Sequence, residues 1–278
     1  AEPLGKEHAT VGGSYDTGKI ISKSIFGYQA PEKIFYEFLY LKGTKGKMSS
    51  SLGNVVSTSE MIEFVPPTTM RYLLLKNKDR HITLDPGEGL VQLSNEYNQL
   101  EQSVEEKKAN QDDLSLYSAC QIGSGKDQTK IPFTHLVNVF QSANSNLNEA
   151  MRILSQTDHI EDKKVVEEDL ARVKVWLRKY APEKYKFEIQ NKLPKVVLSS
   201  IQKELLGKLT DFIRENNDPE NIHNYIYNTG KELSLKPKET FETIYKIFLN
   251  KTSGPKAGWF LVNLDKDFVI KRLKEAIN

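Results

Sequence analysis

Thirteen residues from Lys42 to Asn54, KGTKGKMSSSLGN, gather the groups that polyphosphate chemistry needs. Lys47 brings a positive charge, Ser49, Ser50 and Ser51 bring short hydroxyl donors, and Gly43 and Gly46 give the backbone freedom to move them. Met48 has the character of an apolar anchor. The competing reading of such a polar, glycine-containing stretch is a solvated connector, and the loop alone does not separate the two.

The elements around the loop decide how it is held. Glu32 to Leu41, EKIFYEFLYL, has an apolar two-residue alternation that predicts a strand. Upstream, Ser14 and Asp16 open a helix-like run that ends at Gly27. Downstream, Ser57 and Glu60 have capping-box spacing and Pro67 suits a first helical turn. The first 84 residues therefore read helix, strand, loop, helix, helix. From Asp85 and Pro86, expected as cap and first-turn residues, the pattern becomes helical, with helices expected near 86–108, 133–155, 162–180, 194–216, 218–229, 237–250 and 265–277. Residues 110–130 read as a loose connector. The expected organisation is a mixed segment, 1–84, and an all-α domain, 85–278; the chain as a whole is mostly α.

Composition bounds the setting. Hydrophobic residues make up 38% of the 278 and charged residues 27%, the balance of soluble globular proteins. The lone cysteine, Cys120, excludes an internal disulfide and a zinc site of paired cysteines, and with the missing signal-peptide pattern it makes cytoplasm the expected location. No run approaches the roughly 18 apolar residues of a membrane span, so no membrane partner is expected. His135, His159 and His223 show no metal-ligand spacing, so no metal site is expected. The net charge of +2 hides an uneven distribution. Residues 1–84 have 11 basic and 8 acidic side chains, 85–162 have 5 and 13, and 163–278 have 23 and 16. A basic final third makes nucleic acid a candidate partner.

Lys47-Met48-Ser49-Ser50-Ser51 resembles the Lys-Met-Ser-Lys-Ser signature of class I aminoacyl-tRNA synthetases, and Gly53-Asn54 fits the pair that often trails it. GKEHATVGGSYDTGK, Gly5 to Lys19, is similar to the segment of class I lysyl-tRNA synthetases of archaeal type that carries Gly-Lys-Asp-His and then Gly-Gly-Ser. The stretches Val65–Glu101 and Ile247–Ala276 are similar to that family as well. The resemblance implies the carboxy-terminal portion of such an enzyme: the end of a Rossmann-type α/β catalytic domain with its signature loop, then a cage-like helical domain that binds the tRNA anticodon. It also implies lysine–tRNA ligation through a lysyl-adenylate, with ATP, magnesium accompanying ATP, L-lysine and lysine tRNA as cofactors and partners.

Carried over by position, the resemblance implies a catalytic role for Lys47, Ser49 and Ser50. It places Gly5, Glu7, His8, Gly12, Gly13, Ser14, Asp16, Met48 and Ser51 around ATP and the aminoacyl-adenylate. Adenylation builds charge on the leaving pyrophosphate, which an ammonium and hydroxyl donors stabilise. Glu7 stands where the family usually has Asp, and Ser50 replaces the signature's second lysine, leaving Lys47 the motif's one cation. Competing local readings are a capping group for His8, turn glycines for Gly12 and Gly13, and a helix cap for Asp16. No His-Ile-Gly-His-like motif occurs in the 278 residues. The expectation is that the enzyme's first half lies upstream of Ala1 and that this chain is inactive alone.

For tRNA, the loop Asn250–Phe260 is the candidate, with Lys251 and Lys256 for phosphate and Trp259 for base stacking. Core anchoring is the competing reading for Trp259, and for Trp176. The alternative function is a non-catalytic helical RNA-binding module, with a helical scaffold behind it.

Overall fold

The computed structural model describes residues 1–49, 51, 53, 55–76, 80–121, 123 and 125–278. It is mostly helical and divides into two compact units, Ala1–Asp127 and Gln128–Asn278.

In the first unit, the apolar run Glu32–Leu41 is two strands rather than one. Strand β1, Glu2–Gly5, is followed by helix α1, Lys6–Ala9, and helix α2, Ser14–Ser24, before β2, Lys33–Tyr36, pairs with β1 in parallel. Strand β3, Leu39–Leu41, is followed by helices α3, Thr58–Met61, and α4, Pro67–Leu75, before β4, Ile82–Leu84, pairs with β3 in parallel. Each pair has the strand–helix–strand form that parallel pairing requires. The break falls at Glu37 and Phe38 because the two stretches face different partners. In β2, Ile34, Phe35 and Tyr36 are each more than half exposed.

The caps explain where several helices start. Ser57 and Glu60 form a reciprocal capping box on α3, and Pro67 takes the first position of α4, as their spacing predicts. Helix α5 begins later than expected, at Glu88, and runs to Glu105. Gly87 holds its cap position, while the Asp85 carboxylate accepts from the Gly87 and Gly89 N–H groups at 3.0 and 2.9 Å. The supposed connector 110–130 contains helix α6, Gln111–Cys120, capped by Asn110 through the Asp113 N–H. Arg71 of α4 donates to the Ala119 carbonyl, and Tyr97 of α5 stacks on Tyr117. Asp127 accepts from the Thr68 N–H and hydroxyl at 2.8 and 2.5 Å. These contacts put the compact-unit boundary at 127/128, well beyond the functional boundary expected after residue 84.

In the second unit, the run 133–155 is two helices, α7, Phe133–Ser142, and α8, Leu147–Thr157. Asn144 and Ser145 take left-handed backbone between them, and Asn146 caps the second. Helix α9, Lys163–Lys179, starts at the Asp162 cap and buries Trp176 against Phe133 and Tyr185. Helix α10 runs from Ser200 to Glu215, and its start is fixed by the capping box of Ser199 and Gln202; residues 194–199 precede it without helical structure. Helices α11, Pro219–Glu232, and α12, Pro237–Leu249, follow, with Asn250 left-handed at the end of α12. A short helix α13, Ala257–Val262, lies in the stretch expected to be loop, and α14, Lys266–Ile277, closes the chain.

Leu206, Leu209, Ile244, Phe248, Phe260 and Leu273 form the centre of the core shared by α10 to α14. Within it Arg272, 2% exposed, donates to the Ile247 and Gln190 carbonyls at 2.7 and 2.6 Å and lies over the Phe248 and Phe268 rings. Burial pushes its pKa down.

Candidate functional site

The loop after β3 folds back on its own strand. Lys47 bridges to Tyr40, the Met48 N–H donates to the Leu39 carbonyl at 2.8 Å, and Thr44 closes the turn through the Leu41 carbonyl. Gly43 and Gly46 have φ of 86° and 80°, a conformation that side chains disfavour, so the turn depends on them. Met48 and Ser49 are half-buried, Ser51 is exposed, and the Ser49 and Ser51 hydroxyls are 2.9 Å apart. Ser50 lies outside the described residues.

This turn brings two candidate segments together. Lys47 Nζ is 3.2 Å from Glu7 Oε1 and 4.0 Å from the centroid of the Phe38 ring. Lys42, the neighbouring cation, pairs with Asp85 at 2.7 Å. Burial raises the Asp85 pKa, but the bonds from Lys42, Gly87 and Gly89 outweigh it and hold this carboxyl below the usual range.

The Gly5–Asp16 segment forms its own network. His8 Nδ1 is 3.0 Å from the Ser14 hydroxyl, and Asp16 accepts from the Gly12 N–H at 2.9 Å. Gly12 has φ of 78°. A Cβ on Gly13 would lie 2.7 Å from the His8 carbonyl oxygen, so this position admits only glycine without movement. Gly13 holds the cap position of α2, while Asp16, the expected cap, lies in the first turn. Gly5 passes close to His8 and Tyr36.

Sequence reasoning missed Glu37. It accepts from Lys6 at 2.8 Å and has His81 at 3.2 Å, linking α1 to the start of β4. The Lys6 bond keeps its carboxyl below the usual range. With Lys6, Thr10, Lys33, Phe35 and Tyr36 it lines a cavity of about 320 Å³. The one signal in the sequence is a carboxylate interrupting the apolar run of Glu32–Leu41.

In the second unit the candidates part company. Lys251 donates to the Lys186 carbonyl at 2.7 Å, which ties its ammonium to the backbone of the preceding segment. Lys256 lies with Nζ 3.7 Å from the centroid of the Trp259 ring. Trp259 is half-buried, unlike its neighbour Phe260, which is in the core. Both Lys256 and Trp259 line a cavity of about 940 Å³ with His135, Asp158 and Asn263. Among the described residues no cluster of three metal-ligating side chains occurs, and no helix is long and apolar enough to cross a membrane.

Residues 1–122 match the profile of the family described as tRNA synthetases class I (K). Over these residues the chain is similar to that family. Over 280 residues the chain is 39% identical to a lysine–tRNA ligase from Archaeoglobus fulgidus, covering 99% of this chain and 54% of the relative. It is 37% identical to a lysine–tRNA ligase from Methanosarcina barkeri, covering 100% of this chain and 56% of that one. The chain thus spans about half the length of the curated relatives it matches. A solved glutamate tRNA ligase from Elizabethkingia meningosepticum covers 93% of this chain and 53% of its own, at 13% identity and a TM-score of 0.37, a likeness too weak to carry an argument about fold. The matched segment contains β1 to β4, the Lys47 loop and the Gly5–Asp16 network.

Proposed function

We propose that the chain is a working part of a class I lysine–tRNA ligase. In that reaction the lysine carboxylate attacks the α-phosphate of ATP, pyrophosphate leaves, and the terminal ribose hydroxyl of lysine tRNA then takes the lysyl group. Lys47 offsets charge on the departing pyrophosphate, with Ser49, Ser50 and Ser51 as donors beside it. Gly5, Glu7, His8, Gly12, Gly13, Ser14 and Asp16 border the nucleotide and adenylate, and Met48 steadies the loop. Magnesium enters with ATP, whose phosphates hold it.

The observation that carries this reading is the Lys47–Glu7 ion pair. It joins the signature loop to the Gly5–Asp16 segment in the unit whose sequence matches a class I synthetase. The finer fold reading also has support: parallel strand–helix–strand pairs are the components of a Rossmann-type sheet, and such sheets are normally covered on both faces. The half-exposed Ile34, Phe35 and Tyr36 fit a strand taken from a larger sheet. The helical remainder, with basic residues concentrated after 163, serves as the tRNA-binding domain, whose functional limits we place at 85–278.

The 278 residues contain no His-Ile-Gly-His-like motif, so the chain by itself does not complete the adenylation site. ATP–pyrophosphate exchange with lysine is the test. No lysine-dependent exchange is expected from this chain, whereas lysine tRNA should be retained in a gel shift at low salt. Exchange by the chain alone refutes the claim of incompleteness, and failure to retain the tRNA refutes the RNA-binding role.

A further inference from the structure

Three side chains of one helix edge face the large cavity of the second unit. Lys256 precedes α13, Trp259 lies within it, and Asn263 follows it, with the Asn263 N–H donating to the Trp259 carbonyl at 3.1 Å. All three line the cavity. Asn263 is 5% exposed, and its Nδ2 has no hydrogen-bond partner among the described residues. A buried amide donor without a partner is unfavourable and calls for an explanation, such as a ligand that completes it.

We infer that this cavity receives one unstacked nucleobase of a bound RNA, with Trp259 as its stacking face, Lys256 as the counter-charge to its phosphate and the Asn263 carboxamide against its edge. This rests on the RNA-binding role proposed above. A carboxamide presents a donor and an acceptor side by side, the pattern that pairs with a base edge. The indole supplies the planar apolar surface that unstacked bases use.

Lys256 makes the site responsive. Without RNA its ammonium covers one face of the indole at 3.7 Å. A phosphate oxygen is a stronger partner for an ammonium than a ring is, so binding draws the lysine off and uncovers that face. Behind the indole, His223 meets it edge-on at 6.2 Å and stacks on Phe241. Burial and the Lys256 charge push the His223 pKa down, which favours a neutral ring there.

The test uses the full chain and a lysine tRNA transcript, with affinity measured over a salt series. Asn263→Leu is expected to weaken binding roughly tenfold and leave the salt slope unchanged, since a base-edge contact releases no counterion. Lys256→Gln is expected to make the slope shallower by about one. The tRNA should quench tryptophan emission in the wild-type chain but not in Trp259→Phe, because Trp176 is fully buried. Asn263→Leu binding within about twofold of wild type overturns the inference and leaves the RNA-binding role standing. A quench that persists in Trp259→Phe overturns it too, and decides the matter if Asn263→Leu does not fold. Wild-type chain that ignores the tRNA at low salt sinks both.

Discussion

The Lys47 ammonium sits between the Glu7 carboxylate, 3.2 Å away, and the Phe38 ring, 4.0 Å from its centroid. Both partners of the ion pair are well exposed, at 46% and 61%. Water screens such a pair, so its contribution to stability is small. Glu7→Gln is expected to lower stability by less than about 1 kcal/mol, read from the urea midpoint. A larger loss would make the pair a structural support and weaken its reading as a contact between two halves of a ligand site.

Two glycines ten residues or fewer from His8 should respond with opposite signs. Gly13→Ala drives a methyl against the His8 and Thr10 carbonyl oxygens, 2.7 and 2.9 Å from the added carbon, and is expected to destabilise by about 1–3 kcal/mol. Gly18 lies inside α2 with nothing within 4 Å of an added Cβ. Gly18→Ala should stabilise by about 0.4–1 kcal/mol. Thermal melts of the two variants, side by side, check the sign.

Asp85 links acid pH to stability. Its folded pKa is below the ordinary value, so the carboxylate contributes stability above the unfolded pKa of about 3.9, and that contribution disappears as pH falls through the folded value. The difference in melting temperature between wild type and Asp85→Asn should therefore be full at pH 6 and shrink below about pH 4. A difference constant across that range would show that the carboxylate's charge is not what matters.

Lys251 and Lys256, five positions apart, should separate in function. Lys251→Ala removes the bond to the Lys186 carbonyl and is expected to cost about 1 kcal/mol in stability without changing the salt slope of tRNA binding. If that slope falls instead, Lys251 contacts phosphate in the complex and its bond to Lys186 is broken there.

Local chemistry was readable in the chain. The capping box at Ser57 depends on groups three residues apart, and Pro67 depends only on its own ring, so these helix starts were inferred; the Ser199 box has the same spacing, yet the helix it caps was expected from 194 and starts at Ser200. The run 133–155 was not readable as two helices, because Asn144 and Ser145 each tolerate helix, and nothing in their types requires the left-handed backbone they adopt. The α6 helix escaped notice for the same reason: its polar face resembles a connector until Arg71 and Tyr97 meet it.

By itself the sequence determined the similarity of the first 122 residues to class I tRNA synthetases, the lysine- and serine-containing stretch around Lys47, and a predominantly helical fold, since these rest on residue order and short-range periodicity. Only the tertiary structure decided that Lys47 reaches Glu7, that Glu37 gathers Lys6 and His81, and that Lys251 bonds the Lys186 carbonyl while Asn263 lines a cavity. Each of these joins or separates side chains through the path of the backbone between them, which no local pattern specifies.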